Sequence, residues 1–284
     1  MLGERILDPL GMRATGYDLS GPLLEKRARA YERRLAGVAN ADYLDMSLPY
    51  AAGSLYSTVE DLYTWDQALY GDAVLPAAAK EKMFTPGLSQ YGYGWTIRPQ
   101  PIGPDKAERL TISHGGGING FNTIITRVPD DRHLVVLLNN TGGTTLAAMS
   151  AGILDILYGR TPPPPKRGVA AVLYETIRES GVATAVSRYR EIKASGSADF
   201  DLAEPQLNRL GYELIGEKRP ADAVEILKLN VEAFPESGNA HDSLAEAYAE
   251  AGLKELAITH YAKALELDPT NRNAVEKLNE LVKR

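Results

Sequence analysis

The 284-residue sequence contains no cysteine, so it can form neither disulfides nor thiolate metal sites. Histidine is scarce: the four are His114, His133, His241 and His260, and their spacing fits no metal-ligand pattern. No run approaches the roughly 20 apolar residues that a membrane span requires. The opening stretch, Met1 to Leu10, carries Glu4, Arg5 and Asp8 and so lacks the apolar segment of a secretory signal. Positive charge is not in excess. Thirty-one Lys and Arg stand against 37 Asp and Glu, a net charge of −6, which argues against a nucleic-acid backbone or an anionic membrane as partner. The rest is ordinary globular composition, 44% hydrophobic and 24% charged, long enough for two modest domains.

Leu2-Gly-Glu-Arg-Ile-Leu7 reads as the last turns of a helix stopped by Pro9, so the chain is expected to open inside an element that begins upstream. Residues 13–50 lack sustained periodicity and read as a long surface excursion with a short helix. Ser57-Thr-Val-Glu60 is a capping box, and Val59, Leu62, Trp65 and Leu69 then share one helical face. A second short helix is expected from about Pro76 to Met83. Strands follow at Tyr91–Arg98, Arg109–Ser113, Phe121–Val128 and His133–Asn139, rich in β-branched and aromatic residues. Pro129-Asp-Asp-Arg132 turns the last two into a hairpin. Thr144–Tyr158 is a helix with Leu146, Met149, Ile153, Ile156 and Leu157 as its expected buried stripe. Antiparallel strands with helices packed against them make an α+β block.

Pro162 to Pro165 form a stiff proline run, read as a spacer although it contains a PxxP. Beyond it the pattern is helical and repeats. Leu210, Gly211, Ala223, Leu227 and Pro235 recur 34 residues later as Leu244, Ala245, Ala257, Tyr261 and Pro269. Small residues recur where paired helices must approach closely, and a proline ends each unit. This resembles the tetratricopeptide repeat, with units at about 204–237 and 238–271 and a capping helix at 272–284. Residues 168–200 look like a degenerate helical pair at best. The inward positions of such a solenoid would include Asn208, Tyr212, Asp242, Glu246, Asn273 and Glu276, an acidic face unsuited to capturing a C-terminal carboxylate. Docking on the preceding block or supporting an oligomer is favoured over groove binding, because so short a solenoid presents little groove.

Ile112-Ser-His-Gly-Gly-Gly-Ile-Asn-Gly-Phe121 admits three readings. As a dinucleotide fingerprint, Gly115-x-Gly117-x-x-Gly120 would have to open a helix, yet it runs into a strand-like stretch. As the oxyanion turn of a lipase, His114-Gly-Gly-Gly117 would need a G-x-S-x-G elbow, and the sequence has none. The third reading is a glycine-rich strand lining an acyl-transfer site, where substrate lies against backbone with no Cβ between.

Four motifs occur in order: Arg5-Ile-Leu-Asp-Pro-Leu-Gly-Met12, Ala52-Gly-Ser-Leu-Tyr-Ser-Thr-Val-Glu-Asp-Leu62, Tyr91-Gly-Tyr-Gly-Trp95 and His114-Gly-Gly-Gly-Ile-Asn-Gly-Phe121. Together they resemble the class C β-lactamase-like, penicillin-binding-protein-like serine hydrolases, which include esterases and D-alanyl peptidases, over about residues 1–160. The resemblance implies part of a β-lactamase/transpeptidase-like antiparallel sheet with flanking helices. A proline-rich linker at 161–167 and an all-α domain at 168–284 would follow. It implies that His114 takes the place of the lysine in Lys-Thr-Gly and faces the substrate, placing its carboxylate or shuttling a proton. Gly117 would offer a backbone N–H to the oxyanion, with Gly115 and Gly116 lining the substrate. It implies an amide or ester substrate, small or peptide, with no cofactor and no metal. The family's nucleophile motif, S-x-x-K, and its Tyr-x-Asn motif occur nowhere in this sequence. Both are expected upstream of Pro9, so this chain alone is expected to be inactive. Family habit places the whole protein in the periplasm or at the cell surface of a bacterium. The rival reading is a non-catalytic protein that binds partners through its repeats.

Overall fold

The computed structural model describes residues 1–283, which divide into two compact units, 1–33 with 37–163 and 34–36 with the described residues from 164 onward. Along the chain come α1 (Asp8–Leu10), β1 (Gly16–Tyr17), β2 (Tyr31–Arg34), β3 (Gly37–Asn40), α2 (Tyr50–Gly53) and β4 (Leu55–Tyr56). Next are α3 (Val59–Ala68), α4 (Ala77–Met83), β5 (Thr96–Ile102), β6 (Ala107–Ile118), β7 (Phe121–Val128), β8 (His133–Asn139), β9 (Thr141–Gly142) and α5 (Leu146–Leu157). The helix at the start does not stop at Pro9. A π-helical turn at Gly3–Leu7 runs directly into α1, carrying the chain past the proline, and the helix closes instead at Gly11, with φ of 68°. The excursion over residues 13–50 is more ordered than its composition indicates: β2 pairs with β3 and, in parallel, with β9.

β5, β6, β7 and β8 form one antiparallel sheet in sequence order, with Ile97 opposite Ile112, His114 opposite Ile125 and Ile125 opposite Val136. Successive side chains alternate between its faces. On one face Ile97, Ile112 and Ile125 pack with Trp95 against Trp65, Leu69, Met83 and Phe84 from the α3–α4 region. On the other, Ile102, Val128 and Val135 meet Leu154 of α5. β7 and β8 have the bounds their β-branched and aromatic composition indicates. β5 starts later than expected because Tyr91–Trp95 is a turn, in which Gly94 has φ of 79°.

Three local readings need correction. The cap of α3 is Thr58, whose hydroxyl accepts from Asp61 N at 3.3 Å; Ser57 Oγ instead lies 2.7 Å from Thr15 Oγ1. The stripe of α3 is also interrupted. Val59 is exposed, while Asp66 is only 1% exposed and is ion-paired with Arg127 of β7, itself 2% exposed. The guanidinium of Arg127 lies 5.0 Å from the ring centre of Tyr70 and 5.4 Å from that of Phe84. Along α5 the buried face runs through Leu146, Ser150 and Leu154, leaving Met149, Ile156 and Leu157 exposed. Ser150 can be buried because its hydroxyl meets that of Thr126 at 3.0 Å, so a polar pair stands where an apolar stripe was expected.

The second unit is a stack of tetratricopeptide-like helix pairs: α6 (Val169–Ser180) with α7 (Val182–Ser195), α8 (Glu204–Gly216) with α9 (Pro220–Ala233), α10 (Gly238–Glu250) with α11 (Lys254–Leu267), then α12 (Arg272–Lys283). Leu207, Leu210, Leu214, Leu227, Leu244 and Tyr261 are buried in one continuous core. The first pair is fully formed, with Leu173, Ile177, Tyr189 and Ile192 buried, rather than degenerate. Its connection is Gly181 alone, whereas three residues join the later pairs, so it falls outside the 34-residue period.

Candidate active site

The glycine-rich stretch lies within β6 rather than in a turn. Residues 107–113 pair with β5, but 114–118 pair only with β7, so their other edge carries no strand. Alternate residues of such an edge turn their N–H and C=O groups outward. His114 follows Ile112 by two residues and therefore stands on the α3–α4 face, exposed to solvent. Gly116 is the next residue on that face. A Cβ there would meet the hydroxyl of Thr123, its cross-strand partner, so any larger residue makes Thr123 change rotamer. Gly115 and Gly117 have room for a Cβ, their nearest neighbours being 3.7 Å away.

Tyr91 joins this strand from the turn before β5. Its hydroxyl lies 2.8 Å from Nε2 of His114, and the two rings meet edge to face with centroids 5.9 Å apart. The turn is tight. A Cβ on Gly92 would fall 2.7 Å from Cδ1 of Ile97, and Trp95 anchors the far side in the core. At the other end of the open edge, Gly120 closes the β6–β7 turn with φ of 71°. Its N–H donates to Oε1 of Glu32 at 2.7 Å, and a Cβ there would meet Ala41 and Ala30 at 2.6 and 2.7 Å. Asn119 Nδ2 donates to the carbonyl of Asp42 at 3.3 Å. The β2–β3 excursion thus fixes the end of the glycine strand. Opposite Gly117, Asn122 accepts at Oδ1 from Thr144 N at 3.2 Å.

The sequence-derived residues His114, Gly115, Gly116 and Gly117 are therefore consecutive on one half-paired strand. Tyr91, Thr123 and Glu32 also belong to this surrounding, and sequence reasoning missed them as such. Only Tyr91 carried a signal, inside the Tyr-Gly-Tyr-Gly-Trp motif. A separate cavity of about 280 Å³ lies between Tyr70, Phe84, Ile112 and Arg127; burial, then Asp66, raises the Tyr70 phenol above its ordinary value.

In the second unit the inward polar groups are largely paired with one another. Asn273 Nδ2 donates to both oxygens of Asp242 at 3.2 and 3.1 Å, Tyr212 Oη to Glu246 at 2.8 Å, and Asn239 Nδ2 to Glu204 at 2.7 Å. Burial raises the Asp242 carboxyl, and burial pushes the Tyr212 phenol up to about 12. Glu276 is exposed, and the buried amide oxygen of Asn208 has no hydrogen-bond partner. Among the described residues no three His, Cys, Asp or Glu side chains form a metal-binding group, and no helix is long and apolar enough to cross a membrane.

A family model described as Beta-lactamase matches residues 1–158. Penicillin-binding protein 4* of Bacillus subtilis (strain 168) is 32% identical over 123 residues, covering 40% of this chain and 26% of that protein. The putative penicillin-binding protein PbpX of the same organism is 29% identical over 138 residues, covering 48% and 33%. The octameric penicillin-binding protein homologue from Pyrococcus abyssi aligns with a TM-score of 0.47 at 24% identity, covering 57% of this chain and 37% of that one. The chain spans about a quarter to a third of the length of these two curated relatives. Because the family model covers more than half of its residues, the chain belongs to the beta-lactamase family.

Proposed function

We propose that this chain supplies the substrate-facing strand of a serine hydrolase that acts on an amide or ester through an acyl-enzyme. The observation that supports it best is the unpaired edge of residues 114–118, with exposed His114 at its base. An extended substrate can add to such an edge through backbone hydrogen bonds. Gly115 and Gly116 leave it a flat floor. The N–H of Gly117 donates to the oxygen that gains charge as the carbonyl is attacked. His114 places a carboxylate or moves a proton. In the reaction a serine oxygen bonds the acyl carbon, the amine or alcohol leaves with a proton, and water then releases the acid. The serine and its lysine come from an S-x-x-K segment that this sequence does not contain. Residues 1–160 form the hydrolase part, 161–167 the spacer and 168–284 the repeat tail. Relatives named as penicillin-binding proteins support action at the cell surface or in the periplasm.

The partner-binding alternative draws less support. The inward acids Asp242, Glu246 and Glu204 already hold Asn273, Tyr212 and Asn239. That pattern fits an internal brace better than an open groove.

Incubation with a fluorescent penicillin and a chromogenic short-chain ester tests the reading. The chain alone should label with neither. Completed with a segment bearing S-x-x-K and Tyr-x-Asn it should acylate, and His114→Ala should then slow acylation roughly ten- to a thousandfold with little change in melting temperature. Stoichiometric labelling of the chain alone would refute its dependence on that segment. An unchanged rate with a lowered melting temperature would give His114 a structural role.

A further inference from the structure

We propose that Tyr91 is a positioning residue whose hydroxyl holds Nε2 of His114 and leaves Nδ1 as the ring nitrogen offered to the substrate. The proposal rests on the reading of His114 given above. His114 stands exposed on a strand whose next three residues are glycines, so no side chain follows it there to pack against the ring. An imidazole in that setting would sample several rotamers and both tautomers. The contact with Tyr91, at 2.8 Å and edge to face, removes that freedom.

Tyr91 can do this because its own backbone is fixed from several directions. Its N–H donates to the carbonyl of Leu88 at 3.2 Å, and its carbonyl accepts from Gly87 N at 2.9 Å. It also bridges Thr96, which pairs with Ser113, the residue before His114. The hydroxyl is therefore referenced to β6 through two successive backbone pairings.

The direction of the hydrogen bond follows from acid–base matching. A phenol is a better donor than a neutral imidazole N–H, and the unprotonated imidazole nitrogen is a better acceptor than a phenol oxygen. Tyr91 Oη–H therefore donates to Nε2, and the ring proton resides on Nδ1. No described residue bonds Nδ1. That nitrogen can donate to a substrate carboxylate or carbonyl. The contact also survives protonation of the ring: Nε2–H then donates to the phenol oxygen, whose hydrogen turns to water.

Long-range nitrogen–proton correlation of the His114 ring in this chain, recorded across a pH series, reads the tautomer of the neutral ring directly. The Nδ1–H form is expected in the native chain. Tyr91→Phe, which keeps the ring contact and removes only the hydroxyl, should shift it to the Nε2–H form that free imidazole side chains favour. Tyr93→Phe serves as control and should leave the spectrum unchanged. In the completed enzyme Tyr91→Phe should lower kcat on the order of tenfold with KM nearly constant, since it disturbs orientation and not binding. A tautomer that is Nε2–H in the native chain, or that Tyr91→Phe leaves unaltered, overturns the proposal whether or not His114 proves catalytic. Full activity of His114→Ala in the completed enzyme overturns the proposed function instead, and with it the assignment of Nδ1 to substrate.

Discussion

Replacing Gly211 by alanine and replacing Gly216 by alanine should have opposite effects, although both lie in α8. Glycine in a helix interior is less favourable than alanine by about 0.5–1 kcal/mol, so propensity alone predicts a gain at each. At Gly216 nothing lies within 4 Å of the added Cβ and the residue is solvent-exposed, so the gain stands at about 0.5 kcal/mol near a helix end. At Gly211 the added Cβ would fall 2.6–2.7 Å from Cγ, Cδ1 and Cδ2 of Leu227, a buried branched side chain that cannot swing away. Overpacking of this kind costs about 1–3 kcal/mol, leaving a net loss of roughly 1–2. For a unit of about 120 residues, 1 kcal/mol moves the melting temperature by roughly 3–5 °C. Far-ultraviolet circular dichroism follows the helical tail. Trp65 and Trp95, the only two tryptophans, both belong to the other unit and report it separately by fluorescence. Gly211→Ala should lower the dichroism transition by roughly 3–10 °C and Gly216→Ala should raise it slightly, with the fluorescence transition unmoved. If Gly211→Ala melts at or above the native temperature, the small-residue position of the repeat is not set by close helix approach.

In the first unit, Asp66→Ala would strand the buried guanidinium of Arg127 and should destabilise by about 3–5 kcal/mol, read as a lower tryptophan-fluorescence transition with the dichroism transition unchanged. A loss below about 1 kcal/mol would mean that water reaches the pair. In the tail, Nε2 of His241 donates to the carbonyl of Pro235 at 3.1 Å, so its Nδ1 must accept from Nδ1–H of His260 at 3.0 Å. Burial, and then the neighbouring His241, hold His260 below its ordinary 6.5. The unfolded chain therefore takes up that proton first. The stability this supplies is complete above about pH 6.5 and is lost as the pH falls toward the depressed value. The tail's melting temperature should drop through that interval, and His260→Gln should flatten the slope; a flat native profile would contradict the pairing.

The sequence was most legible where one physical signal dominated. β7 and β8 are runs rich in β-branched and apolar residues on either side of the Pro129–Arg132 turn, and their bounds follow from that alone. The helix pairs α8–α9 and α10–α11 are legible because the 34-residue recurrence is enforced by close packing at Gly211 and Ala245. Legibility failed where signals competed. Glycine disfavours strands, so the β-branched pattern of β6 ended at Ser113 and only the motif carried the strand into the glycine run; backbone pairing with β7 holds residues 114–118 extended. Ser150 broke the apolar stripe of α5 because its partner, Thr126, lies on another element. Asp66 was read past for the same reason, since only the sheet brings Arg127 to it. At the site, His114 and its glycines were found by motif. Tyr91, Thr123 and Glu32 were not, because register and a turn place them there rather than local sequence.

The glycine run also answers a problem that the open edge creates. An unpaired strand edge is a template for association with other chains, and proteins usually blunt it with charge, proline or a cover. Here it is limited in length at both ends. Tyr91 occupies the space beside His114, and the Gly120 turn is pinned by Glu32, so the unpaired stretch runs over residues 114–118. At about 3.3 Å per residue that is roughly 17 Å, room for a short extended segment and little more. Glycines offer a second strand no side-chain pairs to interdigitate with, and cross-strand pairs supply much of a sheet's stability. A partner strand that relies on side-chain pairs therefore gains little there, and what docks at this edge is held by its backbone donors and acceptors. The same three glycines that weaken the strand as a structural element thus disfavour side-chain-driven pairing with a second strand while leaving its backbone groups open.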